Sequence, residues 1–174
     1  MSEKNYSLEA ILASISTYKK PNVTKRLIFD AAPVGGLSSK WLIGLFLFLP
    51  FLEYAGIFNP YMFNMLGIAQ AIIFFIVFLS IVMILIFTLV SLNNARVVKR
   101  ITPSWEHYFP QIDLKLIVTS GATPYKDFYK HCGIALNEGL EGEALHSRLK
   151  DAFAIMQEQN KELIEAMQKD RSKS

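Results

Sequence analysis

Between Glu53 and Arg96 the chain carries no charged side chain at all. No other feature constrains the fold so tightly. A soluble domain keeps returning to water and leaves charges where it does. A run this long without one points to a chain that has lipid as part of its solvent. The composition agrees: 52% of the 174 residues are hydrophobic and 19% are charged. Disorder is excluded for the middle of the chain, because it goes with low hydrophobicity. A simple soluble globule fits the pattern poorly.

The clearest apolar run is residues 71–90, AIIFFIVFLSIVMILIFTLV, interrupted only by Ser80 and Thr88. Twenty helical residues rise about 30 Å, the thickness of a hydrocarbon core. Both hydroxyls can bond back to their own helix carbonyls and need no partner. A second run, residues 41–58, is WLIGLFLFLPFLEYAGIF and contains Pro50 and Glu53. Proline removes a backbone donor and kinks a helix, although neighbouring helices compensate. A full span is expected here, with a re-entrant or interfacial segment as the alternative. Asn59-Pro60 between the runs is a turn signal, so the pair reads as a tight helical hairpin.

Orientation follows from the basic residues. Lys19, Lys20, Lys25, Arg26 and Lys40 precede the hairpin, Arg96, Lys99 and Arg100 follow it, and the connecting loop has no charge. The positive-inside rule then puts both ends in the cytoplasm, with Trp41 at that interface and Tyr61 near the opposite one. The expected location is a cell inner membrane, crossed more than once. On that side the formal sequon Asn22-Val23-Thr24 has no meaning. Residues 1–40 are largely polar and do not resemble a secretory signal peptide.

The expected fold class is an all-α membrane protein in three parts. Residues 1–40 form a cytoplasmic arm, residues 41–91 the transmembrane hairpin (41–58 and 69–91), and residues 92–174 a cytoplasmic helical domain. In the arm, Leu8, Ile11, Leu12 and Ile15 follow the spacing of an amphipathic helix, which Ser7 caps and Pro21 must end. That face either lies on anionic lipid or a partner, or packs on the chain's own C-terminal part. Residues 30–36 read as a linker, with Gly35 and Gly36 as its flexible point.

Beyond the hairpin the second helix continues into water until Pro103 interrupts it. Trp105, Tyr108 and Phe109 are expected to pack against the next helix rather than sit among headgroups. Ile112, Leu114, Leu116 and Val118 alternate like a strand. A lone strand leaves its backbone groups unpaired, so a short helix between Pro110 and Gly121 is preferred. Thr123-Pro124 is a helix start, with Tyr125, Phe128, Tyr129, Cys132 and Leu136 on one face and Asn137 and Gly139 at its end. A last helix is expected over about residues 141–169. Its apolar stripe is Leu145, Leu149, Ala152, Met156, Leu163 and Ala166, and residues 169–174 are expected to fray. Core packing is the default for this stripe, and Leu145, Leu149, Met156 and Leu163 are the candidates for binding a partner helix.

Little in the chain points to chemistry. A net charge of +3 and a pI near 8.9 are too mild for a nucleic-acid-binding surface. One cysteine makes no intrachain disulfide. There is no GxSxG, P-loop, HExxH or GxGxxG sequence. His107, His131, His146 and Cys132 match no metal-ligand spacing, and adjacent helical side chains such as His131 and Cys132 diverge by roughly 100°. No catalytic residue, metal or cofactor is expected. Glu53 is the exception that asks for a role. It lies about 18 Å along its helix from Trp41, past the bilayer midplane, where a carboxyl is costly and functional by default. It could bind a cation, relay a proton or bond to another subunit. In a short or tilted helix it would instead be solvated at the outer interface, a displacement that Pro50 eases.

The expected function is that of a small inner-membrane interaction or regulatory protein, anchored by its hairpin in the lipid bilayer. Its cytoplasmic helices would bind a membrane-protein partner or a further copy of the chain. In layout the chain is similar to the small exclusion and immunity proteins of bacterial mobile elements, and to accessory subunits of secretion or conjugation machines. That likeness is one of architecture, carried by no residue motif. The alternative is an oligomeric channel or transporter subunit using Glu53, since two helices cannot line a pore alone. A membrane enzyme would need a catalytic cluster that the histidines do not make.

Overall fold

The computed structural model describes residues 5–30, 39–119 and 121–171. Among these are seven helices and one two-stranded sheet. They are α1 (Leu8–Ile15), β1 (Ser16–Lys19), β2 (Asn22–Lys25), α2 (Ser39–Ile57), α3 (Pro60–Tyr108), α4 (Leu114–Val118), α5 (Phe128–Asn137), α6 (Gly142–Gln159) and α7 (Lys161–Arg171). The chain is mostly helical, and it divides into two compact units. One joins Met1–Asp30 to Arg96–Ser174, and the other is Ala31–Ala95. The linker expected over residues 30–36 lies, apart from Asp30, outside the described residues, and so do residues 172–174 of the tail.

The first unit is built around Trp105. Its indole is fully buried and its Nε1 donates to the Ile112 carbonyl at 2.7 Å. Phe109 lies 4.6 Å from it by ring centroid, and Phe128 and Phe153 meet it edge-on. Those two phenylalanines stack on each other with an interplanar angle of 6°. The expected packing of Trp105 and Phe109 against neighbouring helices is therefore how they sit. Residues 97, 101 and 105 of α3 point into the same core, as their near-helical spacing requires.

α1 completes this core. Leu8, Ile11, Leu12 and Ile15 are all buried in it, and Ser7 caps the helix by accepting from the Ala10 N–H. The arm is held by polar contacts as well. The Tyr6 N–H donates to Ser104 Oγ at 3.1 Å, and Glu9 Oε1 accepts the Gly142 N–H at 2.6 Å. The latter contact gives one of the first N–H groups of α6 a partner from a distant element, where Glu141 makes no side-chain cap bond.

Four expectations about local structure change. Pro21 does not end α1, which stops at Ile15. Residues 16–25 instead form an antiparallel hairpin in which Tyr18 faces Val23. β2 lies against α5, where Gly133 faces it, and a Cβ there would come within 3.4 Å of the Val23 nitrogen. Pro103 does not interrupt α3. It sits on an exposed face, so its missing N–H only leaves the Lys99 carbonyl to water. Thr123-Pro124 does not open a helix. Tyr125 turns into the core, its hydroxyl accepting from Gln157 Nε2 at 2.9 Å, and α5 begins at Phe128. Finally, the last helix is broken at Asn160, whose ψ is 29°, and α7 follows as a separate piece. The strand-like run at 112–118 resolves into the short helix α4, capped by Asp113.

The second unit contains α2 and the first part of α3. α2 ends at Ile57, and Asn59 caps the next helix by accepting the Met62 N–H at 3.0 Å, with Pro60 at the first helical position. α3 breaks once, at Gly67, whose φ of 73° suits glycine alone without strain. Phe75 meets Tyr54 and Phe58 by ring contacts near 6 Å. Pro60–Tyr108 is the one described helix long and apolar enough to cross a membrane, with mean hydropathy 3.2 in its best window, while the apolar part of α2 is the shorter Ile43–Ile57.

Candidate functional site

The apolar surface of the second unit is its most distinctive feature. None of the best apolar window of α3 is buried. Phe87 is 77% exposed and Leu47 and Phe51 are each 69% exposed. Apolar surface on this scale is unusual for a monomer in water. The less exposed positions recur with helical period on both helices, at 43, 46, 49, 50, 53 and 57 on α2 and at 71, 75, 79, 82, 86 and 90 on α3.

Glu53 falls in the α2 series. Both of its carboxyl oxygens are shut off from solvent, and neither has a hydrogen-bond partner. The solvated position that a tilted or short helix would give is therefore not the one it occupies. An unpaired buried carboxyl costs several kcal/mol in any low-dielectric setting, on the order of the penalty for other unsatisfied polar groups.

The structure places the expected partner-binding residues differently from one another. Leu145, Leu149 and Met156 lie in the core of the first unit, so they are corrected from partner face to packing. Their neighbours there are the apolar side chains of α1, α3 and α5. Leu163 lies on α7 and is 37% exposed. Leu8, Ile11, Leu12 and Ile15 lie in the same core, so of their two expected destinations they take the chain's own C-terminal part. Side chains so fully enclosed do not also lie on lipid or on another protein. The exposed apolar residues of the C-terminal helices are instead Ile134, Ile155 and Leu163. Helical periodicity found the stripes but carried no sign of which stripe would meet which.

The histidines and the cysteine do not converge. Cys132 is fully buried, and burial pushes its thiol up to about 12, so it is a poor nucleophile. Burial also raises the Tyr129 hydroxyl, with the nearby Cys132 adding to the effect. His146 Nε2 lies 3.0 Å from the Tyr108 carbonyl, with its ring edge-on to Tyr108 and Phe109. It borders a cleft of about 320 Å³ that Gln111, Lys150, Phe153 and Gln157 also line. Among the described residues no three His, Cys, Asp or Glu side chains are grouped to hold a metal ion. The cleft offers a lysine amine and two amides for an anionic or polar group, with no paired nucleophile and base.

No family model matches this chain, and no curated protein or solved structure matches it either.

Proposed function

We propose that this chain is a membrane-anchored interaction protein. The apolar unit is a two-helix hairpin in the bilayer, and the helical unit stands on the cytoplasmic face and binds a protein of a membrane machine. One observation carries the anchor. The segments on either side of the apolar unit, Met1–Asp30 and Arg96–Ser174, fold into one core. Segments that share a core are on one side of a membrane, so the chain between them crosses an even number of times. One crossing by α3 then calls for a return by α2. The exposed Phe and Leu side chains on α2 and the short capped turn at Asn59-Pro60 suit that return. The 19 residues of α2 rise about 28 Å, close to a full span.

The basic flanks give the orientation, since Arg96, Lys99 and Arg100 follow α3's apolar part. Partner binding is supported by Ile134, Ile155 and Leu163, apolar side chains left exposed on the helical unit. Reporter fusions at each terminus and an accessibility probe at Met62 test the topology. Both ends are expected on the cytoplasmic side and residue 62 on the other; ends on opposite sides would overturn the reading. Extraction in mild detergent is expected to retain a membrane-protein partner, and Ile155→Asp with Leu163→Asp to release it. A homogeneous homo-oligomer would turn attention to the second reading.

That second reading is a channel or transporter subunit, and the two unpartnered oxygens of Glu53 favour it. Glu53→Gln separates the two. It would abolish ion flux through reconstituted protein under the second reading, and leave partner retention unchanged under the first.

A further inference from the structure

The turn that follows α3 and one face of α6 enclose a cleft that the proposed function does not use. The chain leaves α3 at Tyr108, and the side chains of Phe109 and Ile112 drop into the core. Two bonds hold the turn in a fixed shape. Trp105 Nε1 donates to the Ile112 carbonyl at 2.7 Å. His146 Nε2 lies 3.0 Å from the Tyr108 carbonyl and donates to it, which satisfies one of the last carbonyls of α3. The opposite wall is α6. Lys150, Phe153, Ala154 and Gln157 line the cleft from there, at spacings of three, four and seven residues from the lysine, hence on one face. Both walls are built before any ligand arrives, as in most small-molecule sites.

The cleft holds about 320 Å³. An apolar cavity of about 150 Å³ takes one benzene ring, so there is room here for a ring or a short alkyl chain with a polar head. The floor is apolar. Phe109, Ile112 and Phe153 are buried, and the rings of Phe109 and Phe153 meet edge to face at 5.0 Å, an arrangement that a further ring would extend. The rim is polar. Lys150 and Gln111 are exposed, and among the described residues neither has an ion-pair or side-chain hydrogen-bond partner. Gln157 gives one N–H to the Tyr125 hydroxyl at 2.9 Å, which steadies its amide and leaves a second N–H to donate. No Asp or Glu among the described residues lines the cleft, so the Lys150 ammonium sets the sign of its charge.

We infer that this cleft binds a small carboxylic acid with an aromatic or short aliphatic body. The body lies on Phe109 and Phe153, and the carboxylate meets Lys150 and the amides of Gln111 and Gln157. Apolar burial supplies the attraction, and charge-assisted hydrogen bonds select the acid over a neutral head. The inference is independent of the membrane reading, because the turn and α6 both belong to the helical unit.

The full-length Trp41→Phe protein in mild detergent, in which Trp105 is the one indole, tests this by fluorescence. Phe109 lies 4.6 Å from Trp105 by ring centroid, so filling the cleft is expected to change Trp105 emission saturably on titration with 3-phenylpropionate or hexanoate. Calorimetry reads the affinities. The neutral 3-phenylpropionamide is expected to bind about 10- to 100-fold more weakly than the acid, and Lys150→Met to bring the acid down to the level of the amide. Ala154→Phe keeps the lysine and fills the cleft from an exposed helical position. It is expected to abolish binding while the circular dichroism spectrum stays as it was. No saturable signal with either acid, equal affinity for acid and amide, or binding that survives Ala154→Phe overturns the inference. Inorganic phosphate that competes as well as 3-phenylpropionate also overturns it, since the apolar floor would then contribute nothing.

Discussion

The two units are made of the same kinds of residue and use them in opposite ways. In the helical unit the large apolar side chains turn inward around Trp105. In the unit of α2 and the first part of α3 they turn outward, and Phe87 and Phe51 keep most of their surface uncovered. Apolar content is thus no guide to a core. What differs is the polar residues between the apolar ones. The helical unit spaces them so that each helix has a wet face, and the other unit has almost none to spend.

Substitutions that remove the same kind of group from each unit test this contrast most strongly. Trp105→Ala is expected to cost about 3–5 kcal/mol, because it empties the centre of a packed core. Phe87→Ala, at a position exposed to lipid or detergent, is expected to change stability by less than about 0.5 kcal/mol. Thermal unfolding in mild detergent reads both, and equal losses would break the comparison. Gly133→Leu comes next. Its side chain would push against the β2 backbone and is expected to cost about 1–3 kcal/mol, with loss of amide-exchange protection in residues 16–25.

Smaller effects sharpen the picture within the helical unit. Ser7→Ala removes the α1 cap and is expected to cost about 1 kcal/mol, read by urea unfolding. Glu9 gives the smallest effect and a sign. Hydrogen bonds from its own backbone N–H and then from that of Gly142 lower its carboxyl below the ordinary 4.5. A group whose folded value is lowered stabilises the protein fully above its unfolded value and loses that contribution as pH falls through the folded one. The pH dependence of unfolding below about 4.5 is therefore expected to flatten in Glu9→Gln, while the curve near pH 7 keeps its shape.

Much of this was legible in the residues, and the failures have physical causes. The charge-free run and the Asn59-Pro60 turn stand out because long apolar helices and tight turns depend on local composition. The α1 face was equally plain, but its destination was not: Leu8 to Ile15 meet side chains about a hundred residues away, and periodicity carries no such information. The hairpin at 16–25 hid because Ser16 to Lys19 continues a helical pattern, and only pairing with Asn22 to Lys25 makes it a strand. Tyr125 leaves the helix expected at Thr123 because burying its ring outweighs one more turn. At Glu53 the residue type flagged the site, while the enclosure of both oxygens came only from the packing around it.

The sharing of one core by the two ends of the chain has a consequence for how the protein is made. α1 emerges from the ribosome long before α5 and α6 exist, and its four apolar side chains have nothing to pack on while the hairpin is being synthesised. Closing a flexible loop from residue 30 to residue 96 in solution costs free energy that grows with the logarithm of its length. Under the function proposed above, an inserted hairpin would bring those ends to the same side of the bilayer and remove most of that cost. Membrane insertion would then be a step in folding the helical unit. On that reading a chain that missed the membrane would also leave its helical unit unclosed, with the apolar face of α1 open to proteases, and the fold would report on its own delivery.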